Sequence, residues 1–188
     1  MEEVAEAWPR RTARIAGVCY LLTFVTGGFA AFASRRLAMY GDAANLLATA
    51  CYVAVILLFY KLFKPVNKSV SLLAAFVGLV ACGYGVLSMY HLAPFQINTL
   101  VFFGVYCLLI GYLIFRSTFL PRFLGVLMAF AGLGWLSFAS PRLAHDLSPY
   151  NMAPGIVGEG ALTLWLLVVG MNVQRWKEQV SAAGARRT

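Results

Sequence analysis

Glu159 is the residue whose type and setting most directly suggest chemistry. It stands in Pro154-Gly-Ile-Val-Gly-Glu159-Gly-Ala-Leu, the one acidic side chain inside a long apolar run of this 188-residue chain. A carboxylate in hydrocarbon must be paired, hydrated or protonated. Counted from Pro154, it lies roughly 8 Å along a helix. Proton exchange is the chemistry such a group could perform. The plainer alternative is an interfacial glutamate that hydrogen-bonds the end of a neighbouring helix. Gly155, Gly158 and Gly160 surround it and would admit a second backbone or a ligand at close range.

Other polar residues should lie on the same side of a membrane as Glu159. They include Arg35, Arg36, Asp42, Asn45, His91, Gln96, Asn98, Arg142, His145, Asp146 and Asn151. Asn45, His91, Asn98 and Asn151, with Tyr52 and Tyr106 inside apolar runs, are the candidates to line a ligand-binding or proton-coupling pocket with Glu159. His91, His145 and Asp146 are weak candidates for metal ligation. Their spacing fits no metal motif, so no metal site is predicted. Cys19, Cys51, Cys82 and Cys107 sit in four separate apolar runs and read as packed small residues. No HExxH, GxSxG, CxxC or P-loop pattern occurs. Hence no catalytic residue is assigned, whether the protein is an enzyme is left open, and no cofactor is implied.

The elements that must position these groups are membrane-spanning helices. The chain is 61% hydrophobic and only 12% charged, about half the charge of a soluble domain. Its mean hydropathy is +0.78. Apolar runs long enough to cross a bilayer cover about 15–33, 44–63, 70–90, 97–115, 122–140 and 154–172. The fold class is therefore an all-α polytopic membrane protein, a bundle of six transmembrane helices. Residues 1–173 form the membrane domain, and residues 174–188 a polar cytoplasmic tail expected as a short surface helix that frays.

Local signals refine these limits. Pro9 argues against an unbroken helix from Met1. Gly41-Asp42 suggests the start of the second helix. Ser69 could cap the third, and Pro154 suits a first helical turn. Small residues recur at Ala74, Gly78 and Cys82, at Gly104 and Gly111, and at Gly125, Ala129 and Gly132, as close helix packing in lipid requires. Segments 62–78 and 114–132 echo each other faintly, as a parallel repeat would.

Charge sets the orientation. With the N-terminus inside, twelve of the fifteen Lys and Arg residues fall in inner segments and three in outer ones. Both termini are thus expected in the cytoplasm. The net charge of +8 then reports orientation and contact with anionic lipid, not nucleic acid. Lys64, Lys68, Arg116 and Arg122, in the inner turns, are read as topology and lipid-headgroup residues.

Several stretches resemble the family DUF4386, bacterial six-span membrane proteins without an assigned activity. They are Arg14 to Gly27, Gly41-Asp42-Ala43, Lys64-Pro65-Val66-Asn67, Val101-Phe-Phe-Gly104, Gly111-Tyr-Leu-Ile, Arg116 to Gly125, and Pro154-Gly-Ile-Val-Gly-Glu159 with Leu164-Trp-Leu-Leu. The resemblance implies a multi-pass protein of the bacterial inner membrane and no reaction. Three functions fit. The leading one binds or transports a small or lipophilic ligand, coupled to protonation of Glu159. The alternative is a structural, assembly or sensory component acting through a membrane-protein partner or as a homo-oligomer. A membrane enzyme acting on a lipid-like substrate ranks third.

Overall fold

The computed structural model describes residues 2–32, 37–93 and 97–185. Arg35, Arg36, Gln96, Arg186 and Arg187 lie outside the described residues. The described chain is all-α: α1 Glu2–Phe32, α2 Ala38–Phe63, α3 Lys68–Met89, α4 Thr99–Arg116, α5 Arg122–Leu136, α6 Pro141–Asp146, α7 Ala153–Val168 and α8 Val173–Ala185. Short 3₁₀ turns at Ser137–Ala139 and Tyr150–Met152 flank α6. Six helical stretches of 18 to 25 residues are apolar enough to cross a membrane. Large apolar side chains such as Phe76, Leu133, Leu164 and Val168 point outward. A soluble protein would hide them, and a bilayer welcomes them. The chain is a multi-pass helical bundle.

Several boundaries differ from the sequence reading. α1 runs straight through Pro9. A proline removes one backbone hydrogen bond, and here its ring is buried against the bundle, which offsets that loss. α2 begins at Ala38, so Gly41 and Asp42 lie within its first turns. The cap of α3 is Asn67, whose side chain accepts from the Val70 N–H at 3.1 Å, and not Ser69. α7 stops at Val168 because Gly170 takes a left-handed φ of 77°, four residues before the polar tail. Pro154 does occupy the first turn of α7.

Packing is most extensive between α4 and α5. A Cβ on Gly111 would lie 2.8 Å from the Gly125 carbonyl, and one on Gly104 2.9 Å from the Gly132 carbonyl. The reverse distances are as short, 2.7 and 2.8 Å. The two glycines of each helix are a heptad apart, so the antiparallel pair touches backbone to backbone twice. α3 packs differently. Its Gly78 faces the Ile56 and Tyr106 side chains.

The first turns of α1, helix α8, the α2–α3 turn and the α4–α5 turn share one end of the bundle, called proximal here; the end of α3, the start of α4 and α6 mark the distal end. α8 is docked at the proximal end instead of fraying. Trp176 donates to the Leu62 carbonyl at 3.0 Å and packs near Trp8 at 5.9 Å. Gln179 accepts from both the Thr118 N–H and hydroxyl at 3.1 Å.

Candidate functional site

Glu159 lies on the inward face of α7 and is 6% exposed. The sequence places Gly155 one turn before it, on the same face. That glycine lets the indole of Trp135, from α5, come close against α7, where a Cβ would collide with the ring. The indole N–H then donates to Glu159 Oε1 at 2.5 Å. The second oxygen, Oε2, accepts from the Tyr20 hydroxyl of α1 at 2.5 Å and from the Tyr52 hydroxyl of α2 at 3.5 Å. The Cys107 thiol of α4 lies beside the carboxylate. Gly158, beside Glu159, packs against the Leu127 carbonyl of α5 and seals the helix contact. Five of the six spans thus meet around one carboxylate, and every group that touches it is neutral.

The donors constrain where a proton can sit. An indole N–H only donates, so Oε1 must remain an acceptor. A tyrosine hydroxyl donates or accepts. The Tyr20 and Tyr52 oxygens are 3.5 Å apart, and either can be the donor. A proton on Oε2 would be met by rotation of the Tyr20 hydroxyl, without moving a helix. The shell accommodates both the carboxylate and the carboxylic acid.

Aromatic rings surround this shell. Tyr52 stands edge-on to Tyr20 (5.4 Å), Tyr106 (5.8 Å) and Phe103 (4.9 Å). Tyr106 is fully buried, and its hydroxyl has no hydrogen-bond partner. Toward the distal end the rings give way to a cavity of about 240 Å³ between α2, α3 and α4, where Asn45, Thr49, Cys82, Met89, Thr99 and Phe103 contribute to the wall. Helical periodicity fixes its relation to Glu159. Tyr52 is one turn deeper than Thr49 on α2, and Tyr106 one turn deeper than Phe103 on α4. Gly78, against which Tyr106 packs, is one turn deeper than Cys82 on α3. Tyr52 and Tyr106 therefore form the layer between the cavity and Glu159.

The sequence candidates divide accordingly. Glu159, Tyr52 and Tyr106 come together, and Asn45 reaches the cavity wall. Asn98 is the N-cap of α4, accepting from the Leu100 N–H at 3.0 Å. Asn151 is buried and donates to the Ala144 carbonyl at 3.2 Å, tying α6 to the start of α7. His91 takes a left-handed φ of 57° just past α3, where its N–H and that of Leu92 bond back to Ser88 and Leu87. It is an exposed helix-stop residue. His145 and Asp146 are exposed on α6, apart from the buried Glu159. Among the described residues no three metal-ligating side chains converge. Lys64, Lys68, Arg116 and Arg122 are exposed at the proximal turns. Reading the sequence missed Tyr20, Trp135 and Cys107 as partners of Glu159. The usable signal was Trp135, since a buried indole inside a span needs an acceptor.

The comparisons bear on the same helices. The family model described as "Domain of unknown function (DUF4386)" matches residues 91–170. Over that segment, the DUF4386 resemblance holds. The DUF4386 segment carries Tyr106, Cys107, Trp135 and Glu159, whereas Tyr20 and Tyr52 come from helices before it. An uncharacterized protein of Archaeoglobus fulgidus is 29% identical over 130 residues, which cover 64% of this chain and 78% of the relative. No solved structure matches the chain.

Proposed function

We propose that this protein binds a small lipophilic ligand in the cavity between α2, α3 and α4, and that Glu159 exchanges a proton as the ligand enters or leaves. The observation that supports this most is the stacking order from the distal end inward: cavity, then Tyr52 and Tyr106, then Glu159. The cavity wall is mainly apolar with an amide and two hydroxyls toward its mouth, as a site for a small lipophilic molecule would be. The seat is a bacterial cytoplasmic membrane, with the basic proximal end and both termini in the cytoplasm. Lys64, Lys68, Arg116 and Arg122 there contact anionic headgroups.

Native mass spectrometry of protein extracted from its own membrane tests this reading. A Cβ on Gly85 faces the Thr99 methyl at 3.4 Å, so Gly85→Phe projects a ring into the cavity. The wild type should retain a small molecule that Gly85→Phe lacks. Equal retention in both, or none in either, overturns the reading.

A second reading, a structural or sensory component acting through a membrane partner or a second copy, is favoured by one observation. Glu159 does not itself line the cavity, and both its oxygens are satisfied, as in a purely structural polar core. Stable co-purification of one membrane partner, without a retained small molecule, would support it.

A further inference from the structure

We infer that the ligand is a small lipophilic organic cation, a protonated aromatic amine in chemical class, whose charge, held against the Tyr52–Tyr106 layer, displaces the proton of Glu159 behind it. This rests on the ligand-binding reading above and names its substrate class.

Glu159 is a buried carboxyl group without a fixed counter-charge. A carboxylate withdrawn from water requires a proton or a cation close by. None of the groups bearing on Glu159 supplies one. From α1 it faces Tyr20, from α2 Tyr52, from α4 Cys107, and from α5 Trp135. Tyr106 of α4 and, beyond it, Cys82 of α3 are the nearest further titratable groups, and both are neutral when protonated. With no fixed counter-charge beside it, the carboxyl group keeps its proton until a cation from outside replaces it.

Two further features select an organic ammonium over a hydrated metal ion. First, the layer between the cavity and the carboxylate is aromatic. Tyr52 and Tyr106, with Phe103 on the cavity side, present rings whose centroids lie 4.9 Å (Tyr52–Phe103) and 5.8 Å (Tyr52–Tyr106) apart. Ring faces attract ammonium groups, most strongly where water is excluded. An inorganic cation would want several oxygens, and only the carboxylate carries charge. Secondly, the buried Tyr106 hydroxyl lacks a partner. Its oxygen can accept an N–H, which a protonated amine offers and a neutral alkyl chain does not. The cavity of about 240 Å³ has room for a single aromatic ring on a short stem.

The exchange balances. The amine enters as its ammonium, the proton on Oε2 leaves toward the distal end, and no covalent bond other than that O–H breaks. Cation and proton compete for one carboxylate, so their binding is mutually exclusive.

Binding of phenethylamine and of phenethyl alcohol, close in shape but different in charge, decides the matter. Both are titrated by calorimetry into the full-length protein in phosphatidylcholine nanodiscs, with empty nanodiscs subtracted. The amine should bind about tenfold more tightly than the alcohol, and more tightly as pH rises while the amine stays protonated. Glu159→Gln should abolish that preference and its pH dependence while leaving alcohol binding intact. It is suited to fold, because its amide oxygen can accept from Trp135 and its amide nitrogen can donate to Tyr20. Tyr106→Phe, which removes one unpartnered oxygen, should weaken the amine about fivefold and the alcohol, a neutral and weaker donor, by about twofold or less. Equal binding of amine and alcohol, or an amine preference that survives Glu159→Gln, overturns the cation inference and leaves the ligand reading standing. Binding of neither probe overturns both.

Discussion

Trp135 decides what Glu159 can do. Because the indole only donates, it pins one carboxylate oxygen as an acceptor and leaves titration to the other, which faces hydroxyls that can reverse. The two donors are not equivalent in their loss. Without Tyr20, Oε2 keeps Tyr52 at 3.5 Å, whereas among the described residues no second N–H donates to Oε1 in place of Trp135. Trp135→Phe should therefore cost about 2 kcal/mol and Tyr20→Phe about 1 kcal/mol, read from unfolding in mixed micelles. A reversed order would mean that the indole contact carries little weight. Glu159 itself was legible in the sequence as a lone acid in an apolar run. Its partners were not, because these spans are apolar all round and the rotational phase of Tyr20 or Trp135 leaves no trace in the pattern. Asn98 and His91 were misread for a related reason. At the ends of spans, residues that stop or start a helix have the same polar character as residues that bind.

At the scale of elements, the α4–α5 hairpin was the most legible part. Gly104, Gly111, Gly125 and Gly132 were visible as small-residue spacings, and they pair as 104 with 132 and 111 with 125. Sequence could not tell which face met which helix; antiparallel contact supplied that. Gly125→Ala places a methyl group within 2.7 Å of the Gly111 carbonyl, where neither backbone can yield cheaply. It should destabilise the bundle by about 2 kcal/mol, measured by the same unfolding assay. Gly83→Ala, with open space at its Cβ, should be neutral or slightly stabilising. If both behave alike, the backbone contact is not what holds the hairpin. The tail was read least well. A polar, charged segment suggests a solvated helix, and what docks α8 is a single tryptophan N–H and a glutamine, too sparse to register as a pattern.

The whole molecule is tied asymmetrically. At the proximal end α8 reaches α1 through Trp8, the last turn of α2 through the Leu62 carbonyl, and the α4–α5 turn through Thr118, while Asn172 just before it donates to the Phe119 carbonyl. Removing residues 173–188 should raise hydrogen-exchange rates about tenfold at Phe63–Asn67 and Thr118, with Gly85–Leu92 unchanged. Uniform acceleration along the chain would show that α8 stabilises the bundle as a whole and not one end. Fastened in this way, the bundle resembles a clothes peg. Its spring is the terminal helix, its closed end holds the α2–α3 and α4–α5 turns together, and its jaws are the distal tips of α2, α3 and α4. Any admission of cargo to the cavity would then be a small splaying of those tips about a fixed pivot. The leverage would be greatest at the mouth near Met89 and Thr99 and least where Trp176 grips Leu62.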